Sequence, residues 1–264
     1  MTRRRLDAEL VRRGLVLSRA EAQEAVRKGL VLVGGSVAAK AATMVGEDQS
    51  LGLAGPARRF VSRGGDKLQA ALERFSVDPQ DSKALDAGAS TGGFTDCLLQ
   101  AGAAHVVAVD VGYGQFDWAL RTDERVTLLE RTNIRGLRPD RLPYRPDLVV
   151  ADLSFISLTL VLAALVGAAQ PGATFVTLVK PQFEAGPKDV GSGGVVREPS
   201  VWRRVLERVL AAFDAAGIPG SALMASPLPG PSGNIEFLLL AGSANAHRGT
   251  PNIDAALAEG MALV

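Results

Sequence analysis

Only one cysteine, Cys97, occurs in the 264 residues of this chain. That excludes an intrachain disulfide and a cysteine-rich metal centre, and its setting in FTDCLLQAG points it into a core. The two histidines, His105 and His247, lie far apart and outside any acidic cluster, so both read as structural and no metal site is expected. No apolar segment follows the basic start MTRRRLDAEL, so a secretory signal is not expected there. The longest mostly apolar run, 158–169, falls far short of the roughly 20 residues that span a bilayer. Internal repeats and low-complexity tracts are missing as well. The expectation is a soluble cytoplasmic protein with no stable membrane association, its oligomeric state unknown.

Apolar residues make up 47% of the chain, ample for a core, and the length suits one large domain or a medium and a small one. The net charge of +1 is unevenly spread. Residues 1–62 hold eleven Lys/Arg against six acids, while the remainder is mildly acidic. A basic head on an acidic body suits a polyanionic partner; a solvated charged helix face would carry the same excess.

Leu6–Arg13 and Ser18–Lys28 read as helices, the second with a capping-box pattern, Ser18 and Glu21. Leu30–Val33, Gly34-Gly35 and Val37 read as a tight hairpin. Gly55-Pro56 opens a linker-like stretch. The division expected is a small α+β domain over 1–55, a linker over 56–62 and a large domain over 63–264.

In the large part, Asp66–Phe75 has helical spacing, and strand-like and helix-like segments then alternate. The expected strands are Ala84–Ala87, Val106–Asp110, Val126–Glu130, Leu148–Asp152, Phe175–Lys180, Ala222–Ala225 and Ile235–Ala241. The expected helices are Phe94–Ala101, Phe116–Arg121, Thr159–Ala168, Ser200–Ala216 and Asn252–Met261. Near-continuous apolar strands separated by helices predict an α/β fold, a doubly wound parallel sheet covered on both faces. Its ligand site then lies beyond the carboxyl ends of the strands.

The first strand runs into DAGASTGGF, Asp86–Phe94, and the next ends on Asp110. Glycines let a backbone approach a nucleoside, and an acid at the next strand tip accepts from ribose hydroxyls. The spacing of Gly88, Gly92 and Gly93 fits the dinucleotide pattern G-x-G-x-x-G poorly. It resembles instead the first motif of S-adenosyl-L-methionine-dependent methyltransferases. That resemblance places Asp86 toward the methionine end, directly or through water, and Asp110 on the ribose.

Four polar residues stand where an apolar pattern would not put them. Asp152 ends LVVA, Lys180 ends TFVTLV, Glu236 opens FLLLAG, and Lys67 lies near the start of the helix before the first strand. Asp152 and Lys180, as strand-end residues, share one sheet edge with the glycine loop. Two lysines and two acids suit deprotonation or alignment of a weak nucleophile such as a ribose hydroxyl. The competing reading is two surface salt bridges.

The order Lys67, Asp152, Lys180, Glu236 resembles the catalytic tetrad of FtsJ-like ribose 2′-O-methyltransferases. The strings VSRGGDKL, LDAGASTGGFTD, DVGYGQ, ERTNIR, ADLSFISL, LVKPQFE and SPLPGPSGNIEF resemble the TlyA family of ribosomal RNA methyltransferases, also called haemolysin-like, over nearly the whole chain. The first 55 residues resemble the RNA-binding module first named for ribosomal protein S-four. The resemblance implies a Rossmann-like class I methyltransferase sheet plus a small RNA-binding domain. It also implies methyl transfer from S-adenosyl-L-methionine to cytidine 2′-OH in ribosomal RNA within ribosomal subunits. The large subunit is the common target. The extended N-terminus and C-terminal helix are similar to longer members that also act on the small subunit, some of them linked to capreomycin and viomycin sensitivity. By position, Asp86, Gly88, Ser90, Gly92, Gly93, Asp110 and Phe155 would form the cofactor pocket, with core filling as the other reading of Phe155. Arg4, Arg5, Arg19, Lys28 and Lys40 would contact phosphates. Phe60, an aromatic in the linker, would couple RNA docking to cofactor binding. The competing functions are a membrane-active haemolysin, opposed by the missing spanning segment, and a non-catalytic ribosome-binding factor, opposed by the intact tetrad.

Overall fold

The computed structural model describes residues 3–16, 18–54, 59–242 and 249–264, so His247 and part of the linker lie outside the described residues. The chain divides into two units, 1–58 and 59–264.

In the first unit, β1 (Arg4–Arg5) leads directly into α1 (Leu6–Arg12), followed by α2 (Arg19–Arg27). The Ser18 hydroxyl accepts from the Glu21 amide, the N-cap bond that the sequence pattern calls for. Strands β2 (Val31–Val33) and β3 (Ser36–Val37) form the expected hairpin, with Val33 opposite Ser36. Gly34 and Gly35 have φ of 58° and 84°, the left-handed pair that a two-residue turn of matching twist requires. Strand β4 (Met44–Val45) pairs with β1, and β5 (Leu51–Leu53) pairs with β2. Leu6, Leu10, Ala22, Val26, Val31 and Val45 fill its small core.

The second unit starts with α3 (Arg63–Phe75), β6 (Lys83–Ala87), α4 (Gly93–Gln100), β7 (His105–Val109), α5 (Trp118–Arg121) and β8 (Val126–Leu129). It continues with β9 (Leu148–Ala151), α6 (Leu162–Ala168), β10 (Thr174–Val179), α7 (Pro181–Glu184), α8 (Pro199–Ala215), β11 (Gly220–Ala225), β12 (Phe237–Ala241) and α9 (Ile253–Met261). All seven expected strands form one sheet, ordered β11-β12-β10-β9-β6-β7-β8. The sheet is not wholly parallel, which corrects the sequence reading: β12 runs antiparallel to both β10 and β11. An apolar run buried on both faces reads the same in either direction, so periodicity cannot reveal this.

Alternation along each strand divides two cores. Leu85, Ala87, Val107 and Val149 pack on one face with α6 and α8. Ala84, Val106, Ala108 and Val150 pack on the other with α3 and α4, and Cys97 is buried there. His105 has the structural role expected, its Nδ1 2.8 Å from the Tyr144 hydroxyl. Helix α3 begins at Arg63, three residues before the expected start, and takes in Gly64 and Gly65. Local propensity argues against that turn, but packing demands it, because a Cβ on Gly65 would collide with the buried Phe60 ring. The strand order reverses about β6, whose neighbours are β7 and β9, which makes the carboxyl edge between β6 and β9 the topological switch point.

Candidate active site

The glycine loop leaves β6 at this switch point. Gly88 has φ of +86°, and a Cβ there would lie 2.6 Å from the Asp152 carbonyl oxygen at the end of β9. Gly93 opens α4 against Ser62, whose hydroxyl would meet any Cβ at that position. Gly92, at φ +97°, lies against Leu120 and Phe116. Only glycine permits these approaches. Ser62, Gly64, Gly88, Ser90, Gly93 and Asp152 line a cleft of about 90 Å³. A larger cleft, about 280 Å³, lies by Ser82, Asp147 and Thr174, at the opposite strand ends from Asp110, Asp152 and Lys180.

Asp110 directly follows β7, one residue beyond the strand end rather than at it, and its carboxylate accepts from the Ser90 and Gly112 amides at 2.8 and 2.6 Å and from Gln115 at 3.2 Å. These bonds fix the acid beside the glycine loop. Asp86 is wholly buried on the α4 side of β6, where its Oδ2 accepts from Thr95 at 2.7 Å and its Oδ1 has no hydrogen-bond partner. Burial pushes its carboxyl up to about 7, with the nearby Asp152 charge adding to the effect and the Thr95 bond opposing it.

The four polar residues form two lysine–carboxylate pairs. Lys67 Nζ is 2.5 Å from Glu236 Oε2, with the two side chains 8% and 1% exposed. Lys180 Nζ is 2.6 Å from Asp152 Oδ1 and donates to Ser154 Oγ at 2.9 Å; here the pair is 10% and 24% exposed. Salt bridges they are, but not surface ones. Gln182, two residues after Lys180, donates to Glu236 at 3.3 Å and so links the two pairs. Gly230 makes room for Glu236, since a Cβ there would lie 2.5 Å from Oε1.

Sequence reasoning passed over Ser154, Gln182 and Glu184. The Glu184 carboxylate is buried and accepts from Ser157 Oγ at 2.7 Å and from the Leu158 amide at 2.6 Å. It ties the end of α7, one turn after Lys180, to the loop that follows Asp152. Arg208 donates to the Glu184 carbonyl and holds the clasp from α8. The available signal was a set of polar residues inside two apolar-flanked strings, ADLSFIS and KPQFE.

Phe155 is not core: it is 92% exposed, at φ +63°, with its ring 5.2 Å from that of Phe183. Phe60 is buried within the second unit, and the adjacent Val61 amide donates to Asp96. In the first unit, Arg4, Arg5 and Arg19 are about half exposed and each reaches a buried acid. Lys28 is exposed 3.5 Å from Glu24, and Lys40 is exposed. Among the described residues, no helix is long and apolar enough to cross a membrane.

The family model for FtsJ-like methyltransferases matches residues 60–243, and that for the S4 domain matches residues 4–51. The chain is 54% identical to the 16S/23S rRNA (cytidine-2′-O)-methyltransferase TlyA of Mycobacterium tuberculosis, over 90% of this chain and 89% of that one. It is 46% identical to a Bacillus subtilis protein provisionally named an rRNA methyltransferase, YqxC, over 89% and 84% of the two chains. A solved structure from Streptococcus thermophilus, provisionally named a hemolysin, superposes with a TM-score of 0.81 at 39% identity, covering 100% of this chain and 97% of that one.

Proposed function

Since the chain belongs to the FtsJ-like methyltransferase family, and within it to the TlyA ribosomal RNA (cytidine-2′-O)-methyltransferases, we propose that it methylates the ribose 2′-oxygen of cytidines in ribosomal subunits with S-adenosyl-L-methionine. The observation that carries this reading is the meeting of the glycine loop with the Lys180–Asp152 pair at one switch point, where the Asp152 carbonyl lies under Gly88.

The residues present suit that cofactor. Gly88, Gly92 and Gly93 leave three positions of the loop without side chains, and Ser90 sits exposed with its amide on Asp110. Asp110 offers acceptors to a ribose diol while its own geometry is set by backbone amides. The unpartnered Asp86 Oδ1, buried on the α4 side of β6, is the acceptor that this reading assigns to the methionine end, through a bridging water. The 90 Å³ cleft is smaller than the roughly 300 Å³ of a small complete ligand site, so it suits one end of the cofactor, not the whole. Phe155, exposed and next in sequence to Lys180's partner Ser154, is assigned in this reading to the outer part of the pocket.

When bound, S-adenosyl-L-methionine supplies a methyl group already activated on a sulfonium. The chain's task is to bring a 2′-hydroxyl in line with that methyl and manage its proton. Lys180 is fixed from two sides, by Asp152 and Ser154, so its Nζ can orient the hydroxyl oxygen and relay its proton to the Asp152 carboxylate as the O–CH3 bond forms and the S–CH3 bond breaks. Lys67 and Glu236, dry and paired, hold the far side of this arrangement through Gln182. In this reading residues 1–55 dock folded RNA, 56–62 connect, and 63–264 perform the transfer. Arg4, Arg5, Arg19, Lys28 and Lys40 supply phosphate contacts that position the protein without reading sequence.

Incubating the protein with labelled cofactor and each purified ribosomal subunit, then mapping 2′-O-methyl groups on both RNAs, tests the proposal. Methylcytidine on the large subunit is expected, and on the small subunit as well if the substrates match those in the name of the M. tuberculosis relative. Cofactor binding without transfer to either subunit refutes it.

A further inference from the structure

Two acids in the first unit are fully buried although they sit in a basic segment. Asp7 and Glu9 are both 0% exposed, on the short helix α1. Neither faces an apolar core alone; each is covered by arginines. Arg5 grips Asp7 with two bonds, Nε to Oδ1 at 3.0 Å and Nη2 to Oδ2 at 2.8 Å. Arg19 donates to the same Oδ2 from α2 at 3.1 Å, and Gln23 adds a further bond to it at 3.1 Å. Glu9 is gripped the same way by Arg12, at 2.8 and 2.6 Å, while Arg13 donates at 2.8 Å and Arg4 Nε stands 3.7 Å away.

These arginines are not all alike. Arg13 spends its remaining donors on the carbonyls of Gly46, Glu47 and Gln49 and is mostly buried, so it serves the fold. Arg4, Arg5, Arg12 and Arg19 are about half exposed. A guanidinium has five N–H donors, and a bidentate grip on a carboxylate uses two. Arg5 and Arg12 therefore turn a second edge outward, in an orientation the buried acid has fixed. Arg5 and Arg19 meet on one oxygen, so their bonded nitrogens are no more than roughly 6 Å apart, within reach of a single phosphate group. Each acid cancels one charge, and each cluster remains net positive. The Arg5 bond holds the Asp7 carboxyl far below the ordinary carboxylate range, and the Arg12 and Arg13 bonds lower that of Glu9, so both acids stay charged.

We propose that Asp7 and Glu9 are positioning residues for RNA docking: each buried carboxylate locks exposed arginines into a preset fork for backbone phosphates, Asp7 holding Arg5 with Arg19 and Glu9 holding Arg12, with Arg4 drawn alongside as an ion pair. The proposal rests on the reading of the first unit as the RNA-docking unit. It goes beyond that reading by assigning a binding role to two negative charges inside a positive surface. Its consequence is a reversal of sign. Neutralising an acid raises the net charge by one, which by long-range attraction alone tightens binding to a polyanion. Under the proposal it weakens binding, because the arginines regain their rotamer freedom and must be ordered again on the RNA.

The test uses the full chain and intact large ribosomal subunits, with filter retention measured across a range of KCl concentrations. The variants are Asp7→Asn, Glu9→Gln, Arg5→Lys and the double variant Asp7→Asn/Arg5→Lys. Lysine keeps the charge of Arg5 and its attraction to Asp7 but cannot form the fork. Each single variant is expected to bind about tenfold more weakly, with the slope of log affinity against log salt reduced by about one phosphate contact. The double variant is expected to bind no worse than the weaker single one, because the acid acts through the arginine. Asp7→Asn and Arg5→Lys binding as well as wild type, or more tightly, overturns the proposal while leaving the docking reading intact. A wild-type chain that does not bind subunits overturns both. Thermal melts accompany each variant, and if Asp7→Asn does not fold, Arg5→Lys decides alone: wild-type affinity there overturns the proposal.

Discussion

Glu184 touches neither the glycine loop nor Lys180, yet its removal is expected to reach the chemistry. Its carboxylate is the acceptor for the Ser157 hydroxyl and the Leu158 amide, and these bonds tie the loop carrying Ser154 and Phe155 to the turn that begins at Lys180. In Glu184→Ala both donors lose their acceptor. Hydrogen bonds to a charged group contribute about 1.5–3 kcal/mol each, so a loss of roughly 3–5 kcal/mol is expected after partial rescue by water. For a unit of this size, that lowers the melting temperature by roughly 6–20 °C.

Glu184→Gln is the discriminating variant. The glutamine oxygen can still accept from Leu158, and its amide can donate to Ser157 Oγ. Ser157 can then turn its own proton to Thr159 Oγ1, which lies 2.7 Å away in a contact that works in either direction. Both bonds survive without charge, so the loss should be only about 1 kcal/mol. The activity should follow the same order. A misplacement near 1 Å at a reacting group costs about a hundredfold, so kcat for Glu184→Ala is expected to drop on that scale, Glu184→Gln by several-fold, and KM for the cofactor to change little. Methyl transfer from labelled cofactor to ribosomal subunits, with melting curves on the same samples, reads both quantities. If Glu184→Ala melts lower but keeps kcat within twofold of wild type, the clasp supports the fold alone and the reasoning fails.

Gly88→Ala should abolish cofactor binding in calorimetry, because the new Cβ meets the Asp152 carbonyl at 2.6 Å and the backbone is held at φ +86°. Gly172→Ala, at φ +84° with open space around it, is the control and should bind normally; equal affinity in both variants refutes the close-approach argument. Asp86 has a folded-state value near 7 against an ordinary one near 3.9, so it favours the folded state fully only below about pH 4. Stability of the cofactor-free protein should therefore fall as pH rises from about 4 to 7, and Asp86→Asn should flatten that decline and melt higher at pH 8. An unchanged slope in Asp86→Asn removes Asp86 as its source. Glu236→Ala leaves Lys67 buried without its partner and should cost about 3–5 kcal/mol, whereas Lys67→Met/Glu236→Leu should regain most of that stability and remain inactive. Methyl transfer by that double variant at the wild-type rate would remove the pair from the mechanism.

Much of the second unit was legible because a parallel sheet buried on both faces writes its strands as apolar runs, and a polar residue ending such a run has to be explained. Asp110, Asp152 and Lys180 all declare themselves in this way, and all sit at one edge of the sheet. The pairing of the tetrad is different. Its order along the chain does not say that Lys67 meets Glu236, 169 residues away, while Asp152 meets Lys180. Only the insertion of β12 beside β10 brings the loop before β12 over to α3, and the direction of β12 is the feature an apolar run conceals. Glu184 was hidden for a simpler reason: an acid in a short helix looks like any solvated side chain until the loop it binds is in place. Asp7 and Glu9 were hidden in the same way, since a helix-period reading puts charged residues on the wet face and takes no account of neighbouring arginines folding over them.

The two lysine pairs differ in a way that orders their roles. Lys67 and Glu236 are both nearly dry, and an ion pair taken wholly out of water contributes little net stability compared with apolar residues of the same size. Its cost is offset only if the geometry it enforces is needed, and what it touches is Gln182, on the turn that follows Lys180. The Lys180–Asp152 pair keeps one wetter side, on Asp152, a residue that lines the cleft by the glycine loop. A pair that must meet an incoming hydroxyl needs such an open side, and a pair that must not move needs none. The difference lies in the acids, 24% exposed for Asp152 against 1% for Glu236, and not in the lysines, 10% and 8%. It supports the proposal that the Lys180 pair meets the reacting hydroxyl from its Asp152 side while the Lys67 pair frames it, a distinction that four polar residues in a row of motifs could not make.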